Sequence, residues 1–240
     1  MSRREFDRYS ESYSDLLKDP IRDKFAGSKP EFFQGRKAEL ILDYFRRRQL
    51  DTSRMKYLDV GCGKGELLRV LQPSFDVVVG CDPSAGMISS IHDVDVRLQV
   101  DDSNLPFPDS HFDFVTASGV FHHVPPTNRI ALAKAVNRVM KPGGVFAIIE
   151  HNPLNPVTRR IVGRTPVDND AILLTASETR KLLVSANLIV DEQTYFLYLP
   201  MQLYEHGGRW FENLLAKIPL GGQYGTFGFK DRGCLGQKIL

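Results

Sequence analysis

The sequence predicts an α/β fold, a doubly wound sheet with helices on both faces. Three observations predict it. Short β-branched runs alternate with helical stretches through the middle of the chain, as in successive β–α–β units. Most of these runs are continuously apolar, as strands covered on both faces are. The first run ends in glycines that lead straight into a helix.

Residues 1–55 read as a helical, amphipathic flank, with Phe32, Leu40, Ile41, Tyr44 and Phe45 close to one helix face. Arg46–Arg48 close that stretch and read as a solvated helix end, because helix C-termini favour cations. Strands are predicted at Lys56–Val60, Val77–Cys81, Val96–Val100, Phe112–Ala117 and Val145–Glu150. Between them lie helices at Glu66–Leu71, after the glycines, and at Ala85–His92, after an Asp-Pro-Ser start signal. A third, Asn128–Met140, is stopped by Lys-Pro-Gly-Gly. A Pro/Asn-rich connection, His151–Asp170, then leads to a helix at Ala176–Ala186 and a strand at Leu188–Leu197. A helix near Leu203–Lys217 and a last strand at Gly225–Lys230 complete the pattern. Residues 1–240 are expected to form one domain, with 1–55 as flank or lid, 56–150 as core and 151–240 as the other half of the sheet.

Composition narrows the function classes. With 240 residues the chain buries a sizeable core without staples, and 31 Lys+Arg against 29 Asp+Glu leave a net charge of only +2. That balance disfavours a domain living on a phosphate backbone, so no nucleic-acid partner is expected. No apolar run approaches the roughly 18 residues of a membrane helix, and the first residues are too polar for a secretory leader. A cytoplasmic protein, monomeric or homodimeric and without stable membrane association, is the expectation. Cys62, Cys81 and Cys234 are odd in number and far apart, which predicts neither disulfides nor a metal site.

The most informative segment is Tyr57-Leu-Asp-Val-Gly-Cys-Gly-Lys-Gly-Glu66. Glycines at 61, 63 and 65 permit a sharp strand-to-helix turn and let a ligand approach bare backbone beside helix-terminal amides. A dinucleotide fingerprint would place its third glycine at Glu66, where an acidic side chain repels a pyrophosphate. About 20 residues on, Asp82 ends the second strand, where a carboxylate accepts hydrogen bonds from ribose hydroxyls. Together they point to an adenosine-containing ligand without a pyrophosphate.

On these residues the sequence resembles the class I S-adenosylmethionine-dependent methyltransferases, in the broad small-molecule group of the methyltransferase type 11 kind. The likeness spans roughly residues 55–150. It also rests on Gly80-Cys-Asp-Pro-Ser84, Asp101-Asp-Ser-Asn-Leu-Pro-Phe-Pro-Asp-Ser-His-Phe-Asp113, Phe121-His-His-Val-Pro125 and Lys141-Pro-Gly-Gly-Val-Phe146, in the family's order. It implies a Rossmann-like seven-stranded sheet, mostly parallel with an antiparallel last strand, and S-adenosyl-L-methionine as cofactor, leaving as S-adenosyl-L-homocysteine. Asp59, Gly61, Cys62 and Gly63 would surround the methionine portion, with Cys62 acting through size. Asp82, with Pro83 beside it, would hold the ribose, and Met87 would pack on the adenine. Asp101 would reach the adenine amino group, and Asp102 and Ser103 would offer backbone contacts. Ala117 and Ser118 would lie near the methionine amino and carboxylate groups. Phe6, Tyr9 and Tyr13 resemble an aromatic lid segment of relatives, with Tyr13 facing the cofactor; Ser10 departs from the small apolar residue found there.

Methyl transfer requires an in-line nucleophile and exclusion of water. A hydroxyl acceptor gains from a base, and His122, His123 and His151 follow the fourth and fifth strands, where ligands bind in open α/β sheets. Asp168 and Asp170 read as turn or helix-start residues, with acceptor contact as the alternative. Arg159 and Arg160 read as surface residues, or as a hold on an anionic acceptor. The expected reaction is O- or N-methylation of a polar small molecule, such as a sugar, a glycan precursor or a specialised metabolite. A prenyl quinone or lipid acceptor is the rival within the class. The rivals outside it are a nicotinamide dehydrogenase, which Glu66 disfavours, and a non-catalytic cofactor-binding protein.

Overall fold

A computed structural model describes residues 3–29, 31–101 and 103–233, so Asp102 and Cys234 lie outside the described residues. Seven strands form one sheet: β1 Lys56–Val60, β2 Val77–Asp82, β3 Asp95–Leu98, β4 Phe112–Ser118, β5 Met140–His151, β6 Leu188–Phe196 and β7 Gln223–Lys230. Their order is β3-β2-β1-β4-β5-β7-β6. The pairings from β3 through β5 are parallel, and β7 runs antiparallel to both β5 and β6. This is the Rossmann-like sheet expected, with its antiparallel last strand.

The helices are α1 Arg3–Tyr9, α2 Tyr13–Leu16, α3 Pro20–Phe25, α4 Glu31–Arg47, α5 Glu66–Leu71, α6 Ala85–Ile88 and α7 Arg129–Val139. Beyond β5 come α8 Pro156–Val162, α9 Ala176–Ser185, α10 Met201–Leu203 and α11 Arg209–Leu215. Alternate strand residues feed two cores, as the period-2 pleat requires. On one face, Tyr57, Phe114 and Ile149 pack with Ile41 and Phe45 of α4 and Leu68 of α5. On the other, Leu58, Val115 and Ile148 pack with Val136 of α7 and Leu183 of α9. Burying one such side chain contributes roughly 1.5–3 kcal/mol, so each face is an independent reason for the strand register.

Several boundaries differ from expectation for identifiable reasons. β3 stops at Leu98, not Val100, because its one neighbour ends there, with Asp82 opposite Leu98. β5 starts at Met140, since the segment carrying Pro142 and the glycines joins the sheet across a register shift opposite Phe112 and Phe114. The helix expected to reach His92 ends at Ile88, where the Ser89 hydroxyl turns back to donate to the Gly86 carbonyl. Between α10 and α11 the helix is broken by a π-turn at Tyr204–Gly208, with Gly207 at φ 97°. Arg46 and Arg47 are exposed at the helix end as expected, with Arg47 also meeting Glu192 at 2.6 Å, whereas Arg48 is partly buried, meeting Asp191 at 2.5 Å while lying over the Tyr44 ring. Among the described residues, no helix is long and apolar enough to cross a membrane.

Candidate active site

A cavity of about 730 Å³ opens at the carboxyl ends of β1, β2, β4 and β5. One wall is the turn after β1. Gly61 has φ +71°, and a side chain there would strike Val120 at 2.5 Å, so the turn needs glycine twice over. Gly63 leaves open space beside it and donates its N–H to Asp82 Oδ2 at 2.8 Å, while Ser84 N–H serves Oδ1 at 2.8 Å. Asp59 accepts from the Thr116 hydroxyl at 2.6 Å. Burial pushes the Asp59 carboxyl up to about 7, with Thr116 and Lys37 opposing, and also raises Asp82 above the usual carboxylate range. Both acids line the cavity.

Pro83, Met87, Asp101 and Ser118 line it as well. Ala117 does not: its side chain is wholly buried in the core below α7. Ser103 is exposed and outside the lining, its N–H spent on Asp101 Oδ1. The Cys62 thiol is buried and pushed up by that burial, and its Sγ sits where a side chain on Gly80 would have to go. Cys62 therefore fills space between the turn and β2.

The opposite wall carries the histidines. Glu150, 1% exposed, accepts at Oε1 from Val120 and Phe121 N–H and at Oε2 from His122 Nδ1 at 2.5 Å. Asp168 Oδ1 lies 3.6 Å from His122 Nε2 and 3.4 Å from His123 Nε2. The loop is pinned there because Ile172 N–H donates to His122 O, and Arg129 Nη2 donates to Ile172 O at 2.6 Å. Burial opposes charge on His122, but Glu150 and Asp168 outweigh it and hold the ring up at about 9. Burial and the His122 charge push His123 down to about 3 and His151 down to about 4. One imidazole is thus a held cation, and two are neutral acceptors. All three line the cavity.

The N-terminal segment covers this space. Phe6 sets its ring edge-on to His123 at 5.1 Å, and Tyr13 joins the lining, whereas Tyr9 does not. Asp7 Oδ1 accepts from Ser84 Oγ at 2.6 Å and Gly86 N–H at 3.0 Å, tying α1 to α6. Arg159 and Arg160 are exposed on α8, and Asp170 is exposed beyond the cavity.

Two lining residues escaped the sequence reading. Lys37 stands on the α4 face that also carries Ile41 and Tyr44; burial pushes its ammonium down while Asp59 and Glu66 oppose. A lone cation on an apolar stripe was its signal. Glu150 ends a covered parallel strand, where a carboxylate has no solvent to answer it.

A family model described as a methyltransferase domain matches residues 31–215. An uncharacterised methyltransferase of Synechocystis sp. is 35% identical over 109 residues, 42% of this chain and 49% of that protein. Demethylmenaquinone methyltransferase of Staphylococcus saprophyticus is 33% identical over 116 residues, 44% of this chain and 48% of that protein. The chain thus spans about half the length of these curated relatives. A solved SAM-dependent methyltransferase of Thermotoga maritima, described as a possible histamine N-methyltransferase, superposes with a TM-score of 0.62 at 17% identity, covering 94% of this chain and 98% of that one.

Proposed function

This chain belongs to the methyltransferase-domain family, and we propose that it is an S-adenosyl-L-methionine-dependent enzyme that methylates an oxygen or nitrogen of a polar small molecule held in the covered cavity. One observation carries this reading: the glycine turn with Asp59 and Asp82 and the histidines with Asp168 line one and the same space.

The residues present fit the cofactor. Glycines 61 and 63 leave backbone bare where a side chain would block approach, and the raised Asp59 and Asp82 carboxyls lie in reach of a ligand's ammonium and hydroxyls. Asp82 would hold the ribose, Asp59 and Ser118 the amino-acid portion, and Met87 and Asp101 the adenine. When bound, S-adenosyl-L-methionine supplies a methyl group on a positively charged sulfur. The chain's own residues supply enclosure and proton handling. Phe6 and Tyr13 close the space against water. His151, neutral near pH 7, takes the proton of an acceptor hydroxyl, a role that the imidazolium of His122 is unable to fill.

The test is isothermal titration with S-adenosyl-L-homocysteine, followed by mass spectrometry of methylated products from a panel of sugars, phenols and amines. Tight binding with turnover of a polar acceptor is the expected result; turnover confined to quinols would replace it. A prenyl quinone acceptor is the second reading. It is favoured by the apolar cavity wall of Val157, Ile161, Val162 and Val167 and by the activity named for the Staphylococcus relative.

A further inference from the structure

We propose that His122, His123 and Asp168 form a binding site for one divalent transition-metal ion of the zinc class, with an open coordination position facing the cavity. The inference deepens the reading above, because it concerns the wall assigned to the acceptor.

The distances carry it. His122 Nε2, His123 Nε2 and Asp168 Oδ1 lie within 4.8 Å of one another. Asp168 Oδ1 stands 3.6 and 3.4 Å from the two nitrogens, ion pairs longer than the usual hydrogen bond of about 2.7–3.2 Å. Two ligands on a tetrahedral ion with bonds of about 2.0–2.1 Å are separated by roughly 3.3–3.4 Å. Asp168 therefore stands at ion-sharing distance from each imidazole, with which it also pairs, and the three ligand atoms lie close enough together for an ion to draw them onto itself.

The surroundings match that use. A metal-bound histidine characteristically gives its other ring nitrogen to a carboxylate, which fixes the tautomer and turns the ligand nitrogen outward. His122 Nδ1 does this with Glu150 Oε2 at 2.5 Å, and Glu150 is in turn held by the Val120 and Phe121 amides. Two carboxylates, Glu150 and Asp168, converge on this cluster, so a divalent cation that displaces the proton from His122 Nε2 takes over from it in offsetting their charge. Two imidazoles and one carboxylate form a borderline donor set that suits zinc, cobalt or iron over magnesium or calcium. All three residues line the cavity, and three protein ligands with a fourth position open is the pattern of sites that bind an exogenous oxygen.

The experiment is a titration of chelator-stripped protein with Co2+, read by visible absorption, with Zn2+ as competitor and S-adenosyl-L-homocysteine affinity measured on every sample. The expected result is one equivalent of Co2+ with the absorption of a four- or five-coordinate ion, displaced by Zn2+. His123→Ala and Asp168→Asn should each weaken Co2+ binding about 100-fold while homocysteine-cofactor affinity persists, and Glu150→Gln should weaken it about tenfold. Protein that binds the nucleoside product but takes up no Co2+ or Zn2+ overturns the metal site and leaves the methyltransferase reading standing. Uptake unchanged in both ligand variants overturns it equally. Stoichiometric, ligand-dependent uptake in protein that shows no cofactor affinity would support the metal site and remove the acceptor-wall reading instead.

Discussion

Two clusters of buried charge in this chain are built to opposite ends. Between α4 and α11, the Arg36 guanidinium donates to Glu212, Glu39 and the Tyr204 hydroxyl, and the remaining Glu212 oxygen accepts from Tyr198 and Leu199 N–H at 2.8 Å each. Arg36 Nε is the exception that lacks a partner. Around the cavity the chain answers its own charges less fully. His123 Nδ1 is buried without a hydrogen bond, Asp168 meets the two imidazoles only at 3.4–3.6 Å, and Asp59 is held protonated into the neutral range. The first cluster completes the fold, and the second waits for what the fold does not contain. Polar groups left unanswered in an otherwise satisfied interior mark where a ligand belongs.

Substitutions can break that contrast, the largest effect coming from the closed cluster. Glu212→Ala leaves Arg36 with the more exposed Glu39 as its remaining carboxylate and strips the Tyr198 and Leu199 N–H groups of their acceptor, and should cost about 3–5 kcal/mol in denaturant unfolding, with cofactor affinity of the remaining folded protein unchanged. A loss under about 1 kcal/mol would mean that solvent reaches the guanidinium. His151→Ala should do the reverse, slowing turnover of a hydroxyl acceptor roughly 100-fold with stability and cofactor affinity intact; unaltered steady-state rates would remove His151 from proton transfer. Asp82→Ala should weaken S-adenosyl-L-homocysteine binding by roughly 1–3 kcal/mol by calorimetry, and undiminished affinity would place the ribose elsewhere.

The smallest effect is a pH dependence. Asp59, with its carboxyl at about 7, must shed a proton to receive a ligand's ammonium. Its pKa is raised in the free protein and falls on binding, so affinity should rise with pH through 7. The gain from pH 6 to pH 8 should be about tenfold, and Asp59→Asn should flatten it. A flat profile in the unsubstituted protein would show that Asp59 is already ionised or makes no such contact.

The glycine-turn wall of the cavity was legible because its parts are local. Gly61 and Gly63 follow one strand and Asp82 ends its neighbour, and turn chemistry alone singles them out. The alternation of strands and helices was legible as well, since periodicity and turn signals mark each one, whereas their order in the sheet comes from the structure. The histidine wall was harder. His122 and His123 stood out as ionisable groups after a strand, but Asp168 reads equally as a turn residue, and the sequence does not record the Arg129 and Ile172 bonds that bring it to them. Lys37 hid within an apolar helix face, and Ala117 was assigned to the cavity although the strand pleat turns its methyl into the opposite core.

The placement of β7 also bears on how the protein is made. That strand is inserted between β5 and β6, so each of them is hydrogen-bonded to a segment synthesised after it. Until residues 223–230 leave the ribosome, β5 is an open parallel edge and β6 has no neighbour at all. Unpaired apolar edges invite association with other chains. The β5 edge of the nascent sheet, carrying Phe146, Ile148 and Ile149, therefore lacks its β7 partner while about a third of the chain is translated.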